Sequence, residues 1–516
     1  FAEEVAGVPE IGAIYRGENM QITSYLEQAV TSELSGNVVD LCPVGALTSK
    51  PYAFEARSWE LKKTLAIDVM DAVGTNIRLD SRGRQVLRAL PRINEDVNEE
   101  WAHDKTRHAV DGLVRRRLDR PFVRKDGKLV PATWEEAFAA IAAVKPGASI
   151  AAVAGDQVDC ETMYAAGALV KALGSTLLEG RQGGLDYDVT NLGAVAFNPT
   201  IAGVEDADAI LLIGSNLRWE APLINTRVRK AIKKGAKVFA IGPETDLTYK
   251  VEWLGDDLSL IGKLPDVAVQ ALEGAKRPLV ILGPGALTKA HGAALALVEP
   301  LKLVRTLDDG TAWNGFGVIH LAAARMGGLM LGYAQTGGIA DIVAAKPKLG
   351  LFLGADEVDY ARFADTFKVF IGHHGDNGAH HADVVLPGAS YAEKPGTYVN
   401  LEGRVQRGDR AVFPPGDARE DWAILRALSE ALGATLPFDS FAELRAAMAD
   451  AVPALGQEGL VRYDWAPPKL AAEADGPVSY PVKDFYLTNA ICRASPTMQR
   501  CSAELVHGQA FAEAAE

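Results

Sequence analysis

Six short runs, apolar nearly throughout and each closing on a glycine, set the tightest limit on how this chain can fold. They span residues 150–155, 209–214 (AILLIG), 237–242 (KVFAIG), 278–283, 349–354 and 369–372. A strand that faces water on one side alternates apolar and polar residues; a strand apolar on both faces must be covered on both. Helical periods fill the gaps, at 161–173 and at 223–234, the latter with a basic outer face. Strand, helix, strand in succession specifies α/β architecture with parallel sheets covered by helices. At 516 residues, 48% of them hydrophobic, there is material for several domains of ~150 residues each.

The flanks read differently. Residues 65–90 alternate like strands, in Ile67-Asp68-Val69 and again over 75–79. Ser81-Arg82-Gly83-Arg84 reads as a hairpin turn, and the strand resumes over 85–88. Thr133-Trp134-Glu135-Glu136 is a capping box, which starts a helix over 137–143. Residues 434–516 are more helical and less regular, with Pro467-Pro468 and Gly476-Pro477 as linker points.

Charge and motif content exclude several functions. A net charge of -14 argues against a nucleic-acid partner, which needs a basic face. The run Arg115-Arg116-Arg117, flanked by Asp111 and Asp119, reads as a solvated or interdomain face. No stretch reaches the ~18 apolar residues of a membrane span; 279–298 comes nearest and is broken by Lys289 and His291. Gly283-Pro284-Gly285 lacks the third glycine of a dinucleotide fingerprint, and Gly214-Ser215-Asn216 has one glycine; both read as tight strand-to-helix turns. His373-His374-Gly375-Asp376 and His380-His381-Ala382-Asp383 form the densest polar cluster. Metal ligation there is weighed below a turn packed against strand 384–387, because adjacent histidines seldom face one ion.

Four cysteines, none in a CxxC pair, indicate a reducing compartment. Cys160 opens an apolar helix and reads as a small buried hydrophobe. Cys492 and Cys501 stand in a polar tail without ligand spacing. Cys42-Pro43 has the form of the pair that closes a four-thiolate iron–sulfur run. On residues alone, the favoured reading of Cys42 is a buried cysteine before a turn.

The surrounding residues carry a resemblance. Ser32-Glu33-Leu34-Ser35-Gly36-Asn37 and DLCPVGALTSKPY (40–52), with IDVMDAVGTNIRL (67–79) and LPRINEDVNEEWAHDKTR (90–107), closely resemble the largest iron–sulfur subunit of the NADH:quinone oxidoreductase, respiratory complex I. RLDRPFVRKDGKLVPATWEEAFAAIA (117–142), residues 206–243, HADVVLPGASYAEKPGTYVNLEGRVQ (381–406) and 416–433 are similar to the molybdopterin oxidoreductase superfamily; DFYLTNAICRASPTMQRCS (484–502) again resembles the complex I subunit, less specifically.

The resemblance implies an electron-relay subunit in the peripheral arm of a proton-pumping complex. It implies that Cys42 is the fourth ligand of a [4Fe–4S] cluster. The other three ligands are expected upstream of Phe1, together with a [2Fe–2S] cluster and a second [4Fe–4S] cluster. The implied division is 1–60, the end of a cluster-binding segment; 61–118, a small mainly β domain of the type that carries a cluster in molybdenum enzymes; 119–433, the molybdopterin-oxidoreductase-like α/β body; and 434–516, an irregular helical tail. Residues 60–115 contain no cysteine, so no cluster is expected there and no molybdopterin in the body, which then acts as a scaffold. The implied partners are the flavin/NADH-binding subunit and further iron–sulfur subunits. The implied location is the cytoplasmic side of a bacterial inner membrane, or the matrix side in mitochondria. Two other readings stand beside this one: an active, formate-dehydrogenase-like molybdopterin enzyme, and a purely structural subunit.

Overall fold

The computed structural model describes residues 1–24 and 30–509. The chain opens with a helical turn, Ala2–Ala6, whose Phe1 packs on Trp101 with ring centroids 4.9 Å apart. A hairpin of β1 (Ile11–Ile14) and β2 (Gln21–Ser24) follows, and then α1 (Asn37–Leu41). A three-stranded antiparallel sheet comes next, built from β3 (Lys62–Ile67), β4 (Asn76–Arg82) and β5 (Gln85–Pro91). The turn between β4 and β5 holds Gly83 at φ +62°, a conformation that glycine adopts without a Cβ clash. The strand expected to run through Val69 ends at Ile67. Asp68 is fully buried and joins a polar network instead, with its amide donating to Thr75 O. Helix α2 (Asp104–His108) leads into the turn Ala109–Val114.

The body holds two parallel sheets, one inserted into the other. The first takes β6 (Phe122–Lys125), β7 (Lys128–Pro131), β8 (Ile150–Ala154) and β9 (Leu177–Glu179). Between these lie α3 (Trp134–Ala142), started by the expected Thr133–Glu136 capping box, and α4 (Cys160–Ala172), capped by Asp159. The chain then leaves to build the second sheet from β10 (Ala209–Ile213), β11 (Lys237–Ile241), β12 (Glu252–Gly255), β13 (Pro278–Leu282) and, after a small hairpin of β14 (Val304–Thr306) and β15 (Ala312–Asn314), β16 (Phe316–Val318). Its helices include α5 (Leu217–Glu220), α6 (Pro222–Lys233), α7 (Asp266–Gly274) and α8 (Pro284–Ala296). After α9 (Arg325–Met330) and α10 (Ile339–Ala345) the chain returns to the first sheet as β17 (Leu349–Leu353), β18 (Phe367–Gly372) and, past α11 (Asn377–His381), β19 (Val384–Pro387).

The strand orders are β7-β6-β19-β18-β17-β8-β9 and β12-β11-β10-β13-β16. All pairs of the second sheet are parallel, as are the β9-to-β19 pairs of the first; β6 and β7 add an antiparallel edge. Every residue of β8, β10, β13 and β17 is buried, which is why these strands read as unbroken apolar runs. Strand order reverses between β8 and β17 in one sheet and between β10 and β13 in the other.

A third sheet, β20 (Gly396–Val399), β21 (Arg404–Gly408) and β22 (Gly459–Leu460), stands beside α12 (Asp421–Ala431) and α13 (Phe441–Ala451). Residues 461–489 then run without regular structure across the body. Val478 donates its amide to Asp256 O, and Leu258 to Gly476 O. The chain ends its described part with α14 (Ala490–Ala494), α15 (Pro496–Cys501) and the helical turn Ser502–Val506.

This last segment is not a polar tail. Cys492 is fully buried with Phe485, Ile491 and Met498 against Met70, Ile77 and Leu79 of the small sheet. The polar residues that made it look solvated are spent internally: Ser495 and Thr497 hydroxyls donate to Asp111, and Ser502 donates to Asp484. Cys160 is buried at the first turn of α4, as expected. The basic face of α6 is paired rather than solvated, with Lys230 on Glu99 and Lys233 on Glu4. Of the arginine run, Arg115 and Arg116 are exposed, while Arg117 pairs with Glu393.

Candidate functional site

Cys42 stands at the C-terminal end of α1 with φ -74° and ψ 108°, the extended geometry imposed on a residue before proline. Pro43 stops the helix and turns the chain over its own cysteine. Leu47 N–H donates to Cys42 Sγ at 3.4 Å, and the amides of Leu47, Val44, Ala46 and Gly45 together lower the thiol pKa. Gly45 makes this possible: it sits at φ +68° with nothing within 4 Å of where a Cβ would be. A half-buried sulfur ringed by backbone donors is the environment of a thiolate that binds iron, because N–H···S bonds stabilise sulfur-centred negative charge. The donor set therefore fits a cluster ligand. Among the described residues, no group of three or more metal-ligating side chains includes Cys42.

The segment is held from behind. Arg107 of α2 pairs with Asp40 at 2.5 Å and donates to Asn37 Oδ1 at 2.6 Å. Asp104, buried, accepts from Gly36 N at 2.8 Å and from Ser35 Oγ at 2.6 Å. The motif residues quoted around Ser35–Asn37 thus anchor α1 on the small β domain. None of these partners was legible in the sequence, because each pair is separated by dozens of residues.

The small domain gathers Asp68, Asp71 and His103, buried and with ligand atoms within 4.8 Å of one another. They are joined by hydrogen bonds. Thr106 N–H donates to His103 Nδ1 at 3.2 Å, so the ring proton is on Nε2, which lies 3.0 Å from Asp71 Oδ2 and 3.5 Å from Asp68 Oδ2. Burial lifts Asp68 to about 6, with His103 opposing; at Asp71, burial is outweighed by His103, which hydrogen-bonds to it, and its pKa falls. Buried Lys105 faces both carboxylates and lies 4.4 Å over the Phe485 ring.

The histidine cluster does not converge on an ion. His374 donates from Nε2 to Gly112 O at 2.8 Å, which leaves its Nδ1 to accept from His373 Nδ1 at 2.5 Å. Burial pushes His373 well down, and His374 to about 3, so both are neutral. His381 donates to Asn377 O and stacks on Tyr360 at 5.3 Å.

Both sheets' carboxyl ends face a cavity of about 440 Å³, the usual ligand position of α/β folds. Its fit to a molybdopterin dinucleotide fails at the turns. Gly283 and Gly285 spend their amides on Ile213 O (2.8 Å) and Gly214 O (3.0 Å), and a Cβ on Gly214 would lie 2.4 Å from Ala286 Cβ. These glycines serve backbone-to-backbone packing, leaving no cradle for a pyrophosphate, and no cysteine lines the cavity to hold molybdenum.

Glu220 on the cavity wall is 1% exposed; Ser215 Oγ donates to its Oε2 at 2.7 Å, and its Oε1 has no partner. Burial raises its pKa from 4.5 to about 8. The folded state then holds a proton that the unfolded state releases above about 4.5, so this group's contribution to stability falls as pH rises from about 4.5 to about 8. Glu220→Gln is expected to flatten that loss. Denaturation midpoints should match the parent near pH 4 and exceed it at pH 7.5; equal midpoints at both would refute the assignment.

Comparison with known proteins places the Cys42 segment in context. Residues 1–48 match the NADH-quinone oxidoreductase subunit 3 ferredoxin-like domain, and 61–111 the NADH-ubiquinone oxidoreductase NDSU1/NuoG-like 4Fe-4S domain. Residues 117–431 match molybdopterin oxidoreductase, and 466–501 match the C-terminal region of the NuoG-like NADH-ubiquinone oxidoreductase chain. The mitochondrial NADH-ubiquinone oxidoreductase 78 kDa subunit of Neurospora crassa is 44% identical over 98% of this chain and 71% of the relative. The chain belongs to the large iron–sulfur subunit (75 kDa type) family of complex I.

Other members match it as fully. The 75 kDa subunit of Reclinomonas americana is 41% identical over 97% of this chain and 77% of its own length. The corresponding NADH-quinone oxidoreductase subunit of Rickettsia felis is 43% identical over 97% and 75%. Acetylene hydratase from Pelobacter acetylenicus shares the body fold, with a TM-score of 0.50 and 12% identity over 85% of this chain and 78% of that one. The family's members are subunits of an oxidoreductase complex, and its domains are of iron–sulfur type. No described helix is long and apolar enough to cross a membrane.

Proposed function

We propose that this chain relays electrons within the peripheral arm of complex I and that Cys42 supplies one thiolate to a [4Fe–4S] cluster. The observation that carries this reading is the Cys42 sulfur under the Leu47 amide, inside a segment of the matching family. A bound cluster would supply one-electron transfer; the chain's own part is to hold and orient the thiolate. Pro43 and Gly45 fix the turn, and the Arg107–Asp40 and Asp104–Gly36 links hold that turn on the small domain.

Electrons would enter from a flavin- and NADH-binding partner and leave through further iron–sulfur subunits toward quinone. The complex would stand on the cytoplasmic side of a bacterial membrane or the matrix side of a mitochondrial one. The organisation proposed with it is 1–60 for the cluster segment, 61–118 for the small β domain, 119–433 for the body and 434–516 for the C-terminal part. The body serves as a scaffold, a reading supported by its self-packed turns. Elemental analysis of the purified complex should find iron and no molybdenum in stoichiometric amount. Molybdenum at one atom per complex would overturn the scaffold reading in favour of an active molybdopterin enzyme.

A further inference from the structure

The cavity is not a featureless remnant. Gln157 reaches its wall from the turn after β8 and Glu357 from the loop after β17; Glu220 comes from α5 beyond β10, and His320 from just past β16. The reversal point of each sheet therefore opens onto the same space, which residues 481–489 close from the outside. A volume of about 440 Å³ is that of a small-molecule site.

One group on this wall is unsatisfied. Arg325, the first residue of α9, is only 8% exposed. No described side chain or carbonyl hydrogen-bonds its guanidinium, and no carboxylate comes within ion-pairing distance. A buried charge is normally paired, because removing it from water costs more than the fold recovers without a partner. Of the acids on the same wall, Glu357 holds Arg493 at 2.7 Å, Asp71 lies 3.0 Å from His103 Nε2, and Asp484 accepts from Ser502 Oγ and, at 2.8 Å, from Tyr486 N, while Asp156 stands beyond ion-pairing distance of the guanidinium. His320 donates from Nε2 to Val195 O at 2.7 Å, and burial lowers its pKa to about 3, so it brings no charge. An unpaired cation on the wall of a cavity of this size specifies the complement that fits it: an oxyanion.

We propose that Arg325 anchors a compact organic oxyanion, a carboxylate or a phosphate monoester, in this cavity. Hydroxyl or amine groups of that ligand would face Asp156, Gln157 and Glu357. The side chains define its size and charge. Because the glycine-turn amides are already used, recognition rests on the guanidinium, which binds either oxyanion through paired N–H donors.

The test uses the full-length subunit and two probes, glycerol 3-phosphate and malate, which share hydroxyls and differ in the anion. Titration calorimetry and thermal shift are expected to show saturable binding of one or both to the parent, and the preference identifies the oxyanion. Arg325→Met should weaken that binding by at least about tenfold, with an unchanged or higher ligand-free Tm, since it removes an uncompensated charge. Arg325→Lys, which keeps the charge and loses the fork, should also bind more weakly and covers the case in which the methionine variant does not fold. No binding of either probe, with no small anion released when the intact complex is denatured, would overturn the proposal. So would undiminished binding in both variants.

Discussion

Replacing Cys42 by serine is expected to remove one [4Fe–4S] signal from the EPR spectrum of the assembled complex and to collapse NADH-to-quinone electron transfer with it. Changes in groups that merely orient a metal ligand cost roughly 10- to 100-fold in metal affinity or activity. Loss of a ligand itself should exceed that. The amides around the sulfur sharpen the expectation, because four backbone N–H groups on one thiol stabilise its thiolate and have little to offer a serine hydroxyl. The surrounding fold should persist: Cys42 is half-exposed, its neighbours Pro43 to Ala46 are exposed, and the anchoring contacts run through Asp40, Asn37 and Gly36. A variant complex with full subunit content and an unchanged cluster spectrum would sink the ligand assignment.

Lys394→Met is the second large effect, and it falls on stability. Lys394 is 7% exposed and lies between two buried carboxylates, 2.5 Å from Asp159 and closer still to Asp421. Asp159 also caps α4, accepting from Thr162 N at 2.8 Å, and Asp421 stands at the first turn of α12. One ammonium thereby ties the starts of two helices that pack on each other. Burial acts against its charge, but the two carboxylates outweigh it and raise its pKa; burial likewise raises that of Asp421. Removing the cation leaves two carboxylates uncompensated in the interior, a loss of about 3–5 kcal/mol by analogy with other broken buried pairs. Chemical denaturation of the subunit should register it as a lowered midpoint. A change under about 1 kcal/mol would mean that water reaches this network and that the charges are not truly buried.

The two sites show different limits of what a sequence carries. Cys42 was legible as a candidate ligand, because the resemblance that singles it out is carried by a local string of cysteine, proline, small residues and glycine. Lys394 lies inside an equally distinctive string, and nothing in that string reveals its role, since Asp159 lies in a distant part of the chain. Arg325 and Glu220 gave no signal at all. Their chemistry comes from what they lack, and an absent partner cannot be seen until every neighbour is in place. The polar tail was misread for a related reason. Serine, threonine and asparagine look solvated one by one, yet here they cap α14 and α15 and donate to the half-buried carboxylates of Asp111 and Asp484.

The sequence by itself determined the α/β architecture, the helix starts at Thr133 and Asp159, and the family. Strand burial on both faces, capping and turn chemistry act over a few residues, so they are written where they operate. Only the tertiary structure decided that the Gly214 and Gly283 turns pack on each other instead of cradling a phosphate. It alone showed that His103 shares a proton with the buried Asp71, and that Arg325 is left unpaired in a cavity between two sheets. Those outcomes depend on charges and backbones brought together across hundreds of residues, where the balance of burial against pairing is set by the fold and not by any one segment.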